Sequence, residues 1–141
     1  MKGKDFVRLV RQAFTPFLEN FGFKMGTPSI SGRLYCVDFT TEVHTISLSY
    51  EPGDKALFVV VSSLGEGLLA DYDNKEKSPR LTDLNARYMK LVTVDERAAN
   101  DDAFSSIVAE DEAEHRLLKA AKELRLVLPK FLKNSPATHP R

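Results

Sequence analysis

The side chains that could act as nucleophile and base in this chain are one cysteine, Cys36, and three histidines. A thiolate nucleophile needs a base within hydrogen-bond reach and a third group that orients that base. Cys36 lies in an apolar stretch, where a cysteine is usually a buried and inert thiol. His44 reaches it only if two strands pair in one register, and no orienting group is evident. We therefore expect no cysteine–histidine active site and no catalytic residues.

Two short patterns resemble metal sites. Asp71, Asp73 and Glu76 resemble a calcium loop, but a lysine occupies the third ligand position of the EF-hand spacing. Glu112 and His115 have the i, i+3 spacing of di-iron bundles, which need a second such pair and two further glutamates. The sequence holds one copy. We expect a solvated acidic turn and an exposed helical pair, with no metal ion at either.

One glycine-rich segment resembles a dinucleotide-binding loop. Residues 65–70 read GEGLLA and follow an apolar stretch. That loop works when a helix N-terminus points at the pyrophosphate within a parallel β-α-β unit. Here residues 71–74 read DYDN, which breaks a helix, and Glu66 would lie against the phosphates. We expect a loop at this place, and no cofactor.

Charge and composition exclude several classes of function. The chain has 141 residues, and 20 lysines and arginines balance 20 aspartates and glutamates. It therefore has no overall positive field to attract nucleic acid or an anionic membrane. A single cysteine excludes an internal disulfide. With no signal peptide and no apolar run of spanning length, we predict a cytoplasmic protein.

The first half of the chain predicts a helix followed by a β-meander. Apolar residues with helical spacing indicate a helix over about 5–20, and we expect Pro16 to kink it or divide it into two stacked turns. Gly22 with the apolar residue after it is typical of a left-handed helix stop.

Strand patterns follow at 34–40, 44–50 and 56–62. The middle one alternates cleanly between apolar and Ser/Thr residues, as in a half-exposed strand. Residues 51–54 read EPGD, with proline and glycine at the places that a type II turn requires. We therefore predict a hairpin between the second and third strands.

The second half predicts two helices. Ser78 and Pro79 are typical of a cap and a first helical position, and open a helix to about Tyr88. Residues 91–94 are a candidate fourth strand, and the polar stretch 95–102 is predicted to be a loop.

A longer helix is predicted over about 111–132, with acids at its start and bases at its end, as the helix dipole favours. Pro129 is expected to bend it or end it early. The predicted fold class is α+β. An antiparallel β-meander of three to five strands packs against N- and C-terminal helices, in the order α-β-β-β-α-(β)-α. We predict one domain over 1–133 and a disordered tail over 134–141.

The third strand carries an unusual surface. Its neighbour presents a Ser/Thr face, yet Phe58 and Val60 are predicted on that same side. Two explanations stay open: the segment after Leu64 folds back over them, or they belong to a surface that meets another molecule. Exposed tyrosine and arginine are frequent interface residues, so Tyr72 and Arg80 complete our predicted binding set.

Two family resemblances bear on function. The opening helix with its stop FGFK at 21–24, leading into a hairpin meander, is similar to small uncharacterised bacterial domains grouped with toxin-immunity proteins. The element order resembles that of type III secretion chaperones, α+β dimers that hold an unfolded effector segment. That second resemblance implies a dimer contact through the helix over 81–88. Those chaperones are usually acidic, whereas this chain is neutral.

We predict a non-enzymatic protein-interaction module of bacterial type, immunity-like or chaperone-like, whose partner is another protein. A homodimer stays open, and nucleic acid and membrane partners are disfavoured. The alternative is a small-molecule-binding protein or enzyme with a pocket between the sheet and the C-terminal helix. His44, Tyr50 and Tyr35 are its candidate residues.

Overall fold

The computed structural model of the chain describes residues 1–63 and 78–134. Its helices are α1 (Gly3–Ala13), α2 (Thr15–Asn20), α3 (Leu81–Tyr88), α4 (Val94–Phe104) and α5 (Glu112–Asn134). Its strands are β1 (Lys24–Met25), β2 (Ser29–Ile30), β3 (Tyr35–Thr40), β4 (His44–Glu51) and β5 (Ala56–Ser63). The architecture is α+β, with N- and C-terminal helices and an antiparallel sheet, as the sequence predicts.

The predicted break near Pro16 is observed as two separate helices. Proline has no N–H to continue the ladder and its ring clashes with the preceding turn. In the structure α1 ends before it and Pro16 lies in the first turn of α2. The predicted stop is also present: Gly22 has φ of +88°, and the Phe23 N–H donates to the Leu18 carbonyl at 3.0 Å. This bond, with that from Gly22 to Glu19, forms a Schellman motif.

The sheet has the order β1-β3-β4-β5 in the described residues, and β2 also pairs with β3. The short strands β1 and β2 were not predicted, because two residues are too few to show a period. Side chains of β4 alternate between a core face and an outer face. The core face carries His44, Ile46, Leu48 and Tyr50, and the outer face carries Thr45, Ser47 and Ser49.

The β4–β5 hairpin is present, but its turn differs from the prediction. Glu51 pairs with Ala56, so four residues, 52–55, form the loop. A type II turn would need a positive φ at Gly53, whereas the positive φ, 53°, falls on Lys55. The Arg116 guanidinium donates to the Lys55 carbonyl at 2.7 Å and holds this end of the loop.

The core lies between one sheet face and the helices. Phe6 of α1 packs on Tyr35 of β3, with ring centroids 5.7 Å apart. α5 is buried along most of its length, and α1, α3 and α4 all pack against it. It does not end early at Pro129, because buried Leu128 and Phe131 hold its last turns in the core. No helix in the described ranges is long and apolar enough to cross a membrane.

The predictions of a strand over 91–94 and a loop over 95–102 were wrong. The structure has a short 3-10 turn over Met89–Leu91 and then helix α4. Thr93 and Glu96 form a reciprocal capping box: each backbone N–H donates to the other's side chain, at 3.0 and 3.1 Å. Helix α4 has two buried residues, Asn100 and Phe104, so no apolar stripe marks this helix in the sequence.

Helix α3 begins at Leu81, two residues later than predicted. The residue before it is Arg80, whose backbone N–H donates to the Asp83 carboxylate at 2.9 Å. Leu81 and Leu84 are buried, and the helix packs against α5. Its predicted apolar face is therefore used inside the chain.

Candidate functional site

The outer face of the sheet carries Phe58 and Val60 among polar neighbours. Phe58 pairs with Ser49 and Val60 with Ser47 in the β4–β5 ladder. Directly opposed residues of an antiparallel pair project to the same face. Phe58 is 37% exposed and Val60 is half-buried. The sheet therefore presents an apolar spot at its β5 edge, on a face where the neighbouring strand β4 carries hydroxyl groups.

Arg80 meets β5 at this spot. It forms an isolated antiparallel bridge with Val60, and the Val61 N–H donates to the Pro79 carbonyl at 2.9 Å. Three of the four predicted binding residues, Phe58, Val60 and Arg80, are thus neighbours in the fold. The fourth, Tyr72, lies outside the described residues, as do the glycine-rich segment 65–70 and the acidic turn.

A surface cavity of about 430 Å³ adjoins these residues. Its three walls are the start of β5, the start of α3 and the middle of α5. The lining residues are Lys55, Ala56, Leu57, Phe58, Val59, Arg80, Leu81, Thr82, Arg116, Ala120 and Glu123. We call this the β5 cavity, and we call Phe58, Val60 and Arg80 together with it the β5 surface.

The β5 cavity is lined by three basic residues and one acidic residue. Arg116 pairs with Glu112 at 3.0 Å, whereas Glu123 accepts a hydrogen bond from the neutral amide of Asn85, also at 3.0 Å, and keeps its negative charge. Lys55 and Arg80 form no ion pair with any described residue. Lys55 and Arg80 outnumber Glu123, so the net charge of the groups without an ion pair is positive at this surface.

Cys36 and His44 lie on opposite faces of the sheet and do not form a dyad. Cys36 is on the outer face, where its Sγ lies 3.8 Å from the Ser49 hydroxyl, and it is half-buried where the sequence predicted a buried thiol. His44 is 1% exposed in the core and packs edge-on against Phe131, with ring centroids 5.8 Å apart. Burial lowers the pKa of His44 from its usual value, so it is neutral at pH 7.

The three residues nominated for a small-molecule pocket do not converge. Tyr35 and Tyr50 are buried with ring centroids 5.8 Å apart, and burial raises the pKa of Tyr50. His44 lies at the other end of β4, packed in the core. Tyr50 borders a smaller cavity of about 180 Å³ next to Met1, separate from the nominated histidine.

Within the ranges 1–63 and 78–134, no three His, Cys, Asp or Glu side chains lie close enough together to hold a metal ion. Glu112 and His115 are both exposed on α5. This agrees with the surface pair predicted from their spacing.

The sequence interpretation missed one buried charge, Glu114. Only 3% of this residue is exposed, and its carboxylate lies 3.2 Å from the Arg8 guanidinium. Its backbone N–H donates to Asp111 at 2.8 Å, which lowers the pKa of Asp111, and the Met1 amine lies 3.6 Å from that carboxylate. Glu114 precedes Leu117 by three residues, so its place on the apolar stripe was the available signal.

Comparison of the chain with protein-family models, with curated proteins and with solved structures finds no match.

Proposed function

We propose that this chain is a non-enzymatic protein-interaction module that binds its partner through the β5 surface. The observation that carries the proposal is the meeting of Phe58, Val60 and Arg80 beside an open cavity. An apolar spot with an adjacent unpaired arginine is typical of the centre of a protein interface. A cytoplasmic location and a bacterial host belong to the same proposal.

Among the described residues, the positions of Cys36, His44 and Tyr50 favour binding over catalysis. The thiol and the buried imidazole are divided by the sheet, and His44 and Tyr50 are packed in the core. None of these side chains therefore pairs an accessible nucleophile with a neighbouring base.

The dimer contact implied by the chaperone resemblance finds less support. Leu81 and Leu84 already pack inside the chain, so α3 has little apolar surface left for a second copy. We therefore favour a different protein as the partner.

Capture from a host extract with matched variants tests the proposal. The natural chain should retain a partner that Phe58→Asp loses, because burying a carboxylate in an apolar contact is costly. Val108→Asp is the control, since Val108 is 67% exposed in the α4–α5 loop and lies outside the β5 surface. Equal retention by both variants would contradict the proposal. Retained binding by a Tyr72→Ala, Arg80→Ala double variant would remove those two side chains from it.

Small-molecule binding is the second candidate, and the volume of the β5 cavity favours it. About 430 Å³ lies within the range of ligand pockets, roughly 300–1,000 Å³. Ala120→Phe would fill part of this space. Loss of a small ligand on that change, with protein capture intact, would favour the second candidate.

A further inference from the structure

We propose that the β5 edge binds an extended acidic peptide segment of its partner by strand addition. This inference rests on the proposed function and specifies how the β5 surface would work. Three observations on the described residues support it: backbone groups of β5 without a backbone partner there, room beside them, and two positive charges without an ion pair that flank them.

The first observation is the direction of the backbone groups of β5. β5 is the last strand of the sheet order, with β4 on one side. The Val61 N–H points away from β4, because it donates to Pro79. Backbone direction alternates along a strand, so the N–H groups of Val59 and Leu57 point to the same open side.

These groups have no backbone partner on that side among the described residues. The Pro79–Arg80 segment occupies the edge at Val60 and Val61, and the chain then turns into α3. At the other end, Arg116 already bonds the Lys55 carbonyl. The open stretch is therefore centred on Leu57, and its N–H and carbonyl together with the Val59 N–H can pair with an added strand.

The second observation is space. The β5 cavity lies along this same stretch, and the apolar residues Leu57, Leu81 and Ala120 are part of its lining. An incoming strand can place alternate apolar side chains against such a lining while its backbone pairs with β5.

The third observation is charge. Lys55 directly precedes the open stretch and Arg80 bridges the residue directly after it. Lys55 directly precedes β5, and Ala56 to Val60 spans four residue steps of strand, about 13 Å at the usual rise. A partner segment with acidic residues about five positions apart, and apolar residues between them, matches both charges at once.

Charge also argues against a second copy as the occupant. Antiparallel pairing of two β5 edges centred at Leu57, the middle of the open stretch, would place Lys55 of one copy opposite Val59 of the other, next to Arg80 of that copy. Like charges facing each other across a strand pair are destabilising. Lys55 and Arg80 thus select against self-pairing and for an acidic strand.

Labelled synthetic peptides test the proposal. One pool is about ten residues long, with apolar β-formers between two aspartates or glutamates, and the matched pool has lysines at those two positions. The peptide with the highest affinity is selected from the acidic pool, and its binding is measured by fluorescence anisotropy. We expect Lys55→Glu and Arg80→Glu each to weaken binding about five- to tenfold, because repulsion replaces attraction. Lys24→Glu, on β1 at the other side of the sheet, should leave binding unchanged.

Amide hydrogen exchange of the natural chain separates strand addition from side-chain docking. We expect the Leu57 and Val59 amides to exchange rapidly in the free protein and to become protected by the acidic peptide. Three results would overturn the proposal: equal binding of both pools, no protection on binding, or protection already present without peptide. The last shows that this chain or a second copy fills the edge. If partner capture still depends on Phe58 in that case, the proposed function stands and only strand addition fails.

Discussion

At the scale of single residues, the buried charge of Glu114 links helix α5 to helix α1. Its carboxylate is shielded by α1 and α5, and Arg8 is its cationic partner at 3.2 Å. Leaving a buried carboxylate without its partner costs more than the pair itself contributes. The sequence carries the spacing that places Glu114 on the apolar stripe, but it gives no sign that Arg8, 106 positions away, would meet it.

Arg8→Met is expected to lower the free energy of unfolding by about 1–3 kcal/mol, because the Glu114 carboxylate then remains buried and unpaired. Adding Glu114→Met should recover much of that loss. Urea unfolding of the two single variants and the double variant measures the coupling. Additive losses would show that the two side chains do not interact.

His44 makes folding stability depend on pH. Its folded-state pKa is lowered by burial, so below pH of about 6.5 the unfolded chain binds a proton that the folded chain resists. Stability from this residue is complete above that pH and is lost as pH falls through the lowered folded-state pKa. His44→Gln should therefore flatten the fall in melting temperature between pH 7 and pH 5. His115→Gln, at an exposed site, should not flatten it, and identical pH profiles for all three proteins would contradict this account.

At the scale of elements, apolar periodicity predicted the helices and strands that bury a clear stripe. The helix stop at Gly22, the β4–β5 hairpin and α5 follow from local patterns that the structure contains. α4 was missed because its exposed surface is large and its start is set by a cap instead of a stripe. The turn after β4 was mispredicted because the left-handed conformation falls on Lys55, where Arg116 from a distant helix bonds the carbonyl.

Thr93→Ala tests the role of the α4 cap. The change removes the hydroxyl that accepts the Glu96 N–H, and should cost about 1 kcal/mol of stability. It should also speed hydrogen exchange in the first turn of α4. Thr93→Ser keeps the hydroxyl and serves as the control; equal losses in both variants would show that the cap contributes little.

At the scale of the whole molecule, the α+β architecture was predictable because one face of the sheet and the helical stripes are both apolar and bury each other. The β5 surface was predictable only in part. The strand pattern placed Phe58 and Val60 on the outer face, but the approach of Arg80 and the cavity beside it depend on where the chain returns after residue 77. Local patterns do not specify that path.

Site-specific photo-cross-linking tests the central claim most directly. A benzophenone amino acid is placed at position 58 in one sample and at position 108 in another, and both are irradiated in host extract. We expect an adduct of one discrete mass from position 58, which Val60→Asp in the same chain abolishes, and no such adduct from position 108. The same adducts from both positions, or none from position 58, would contradict that claim.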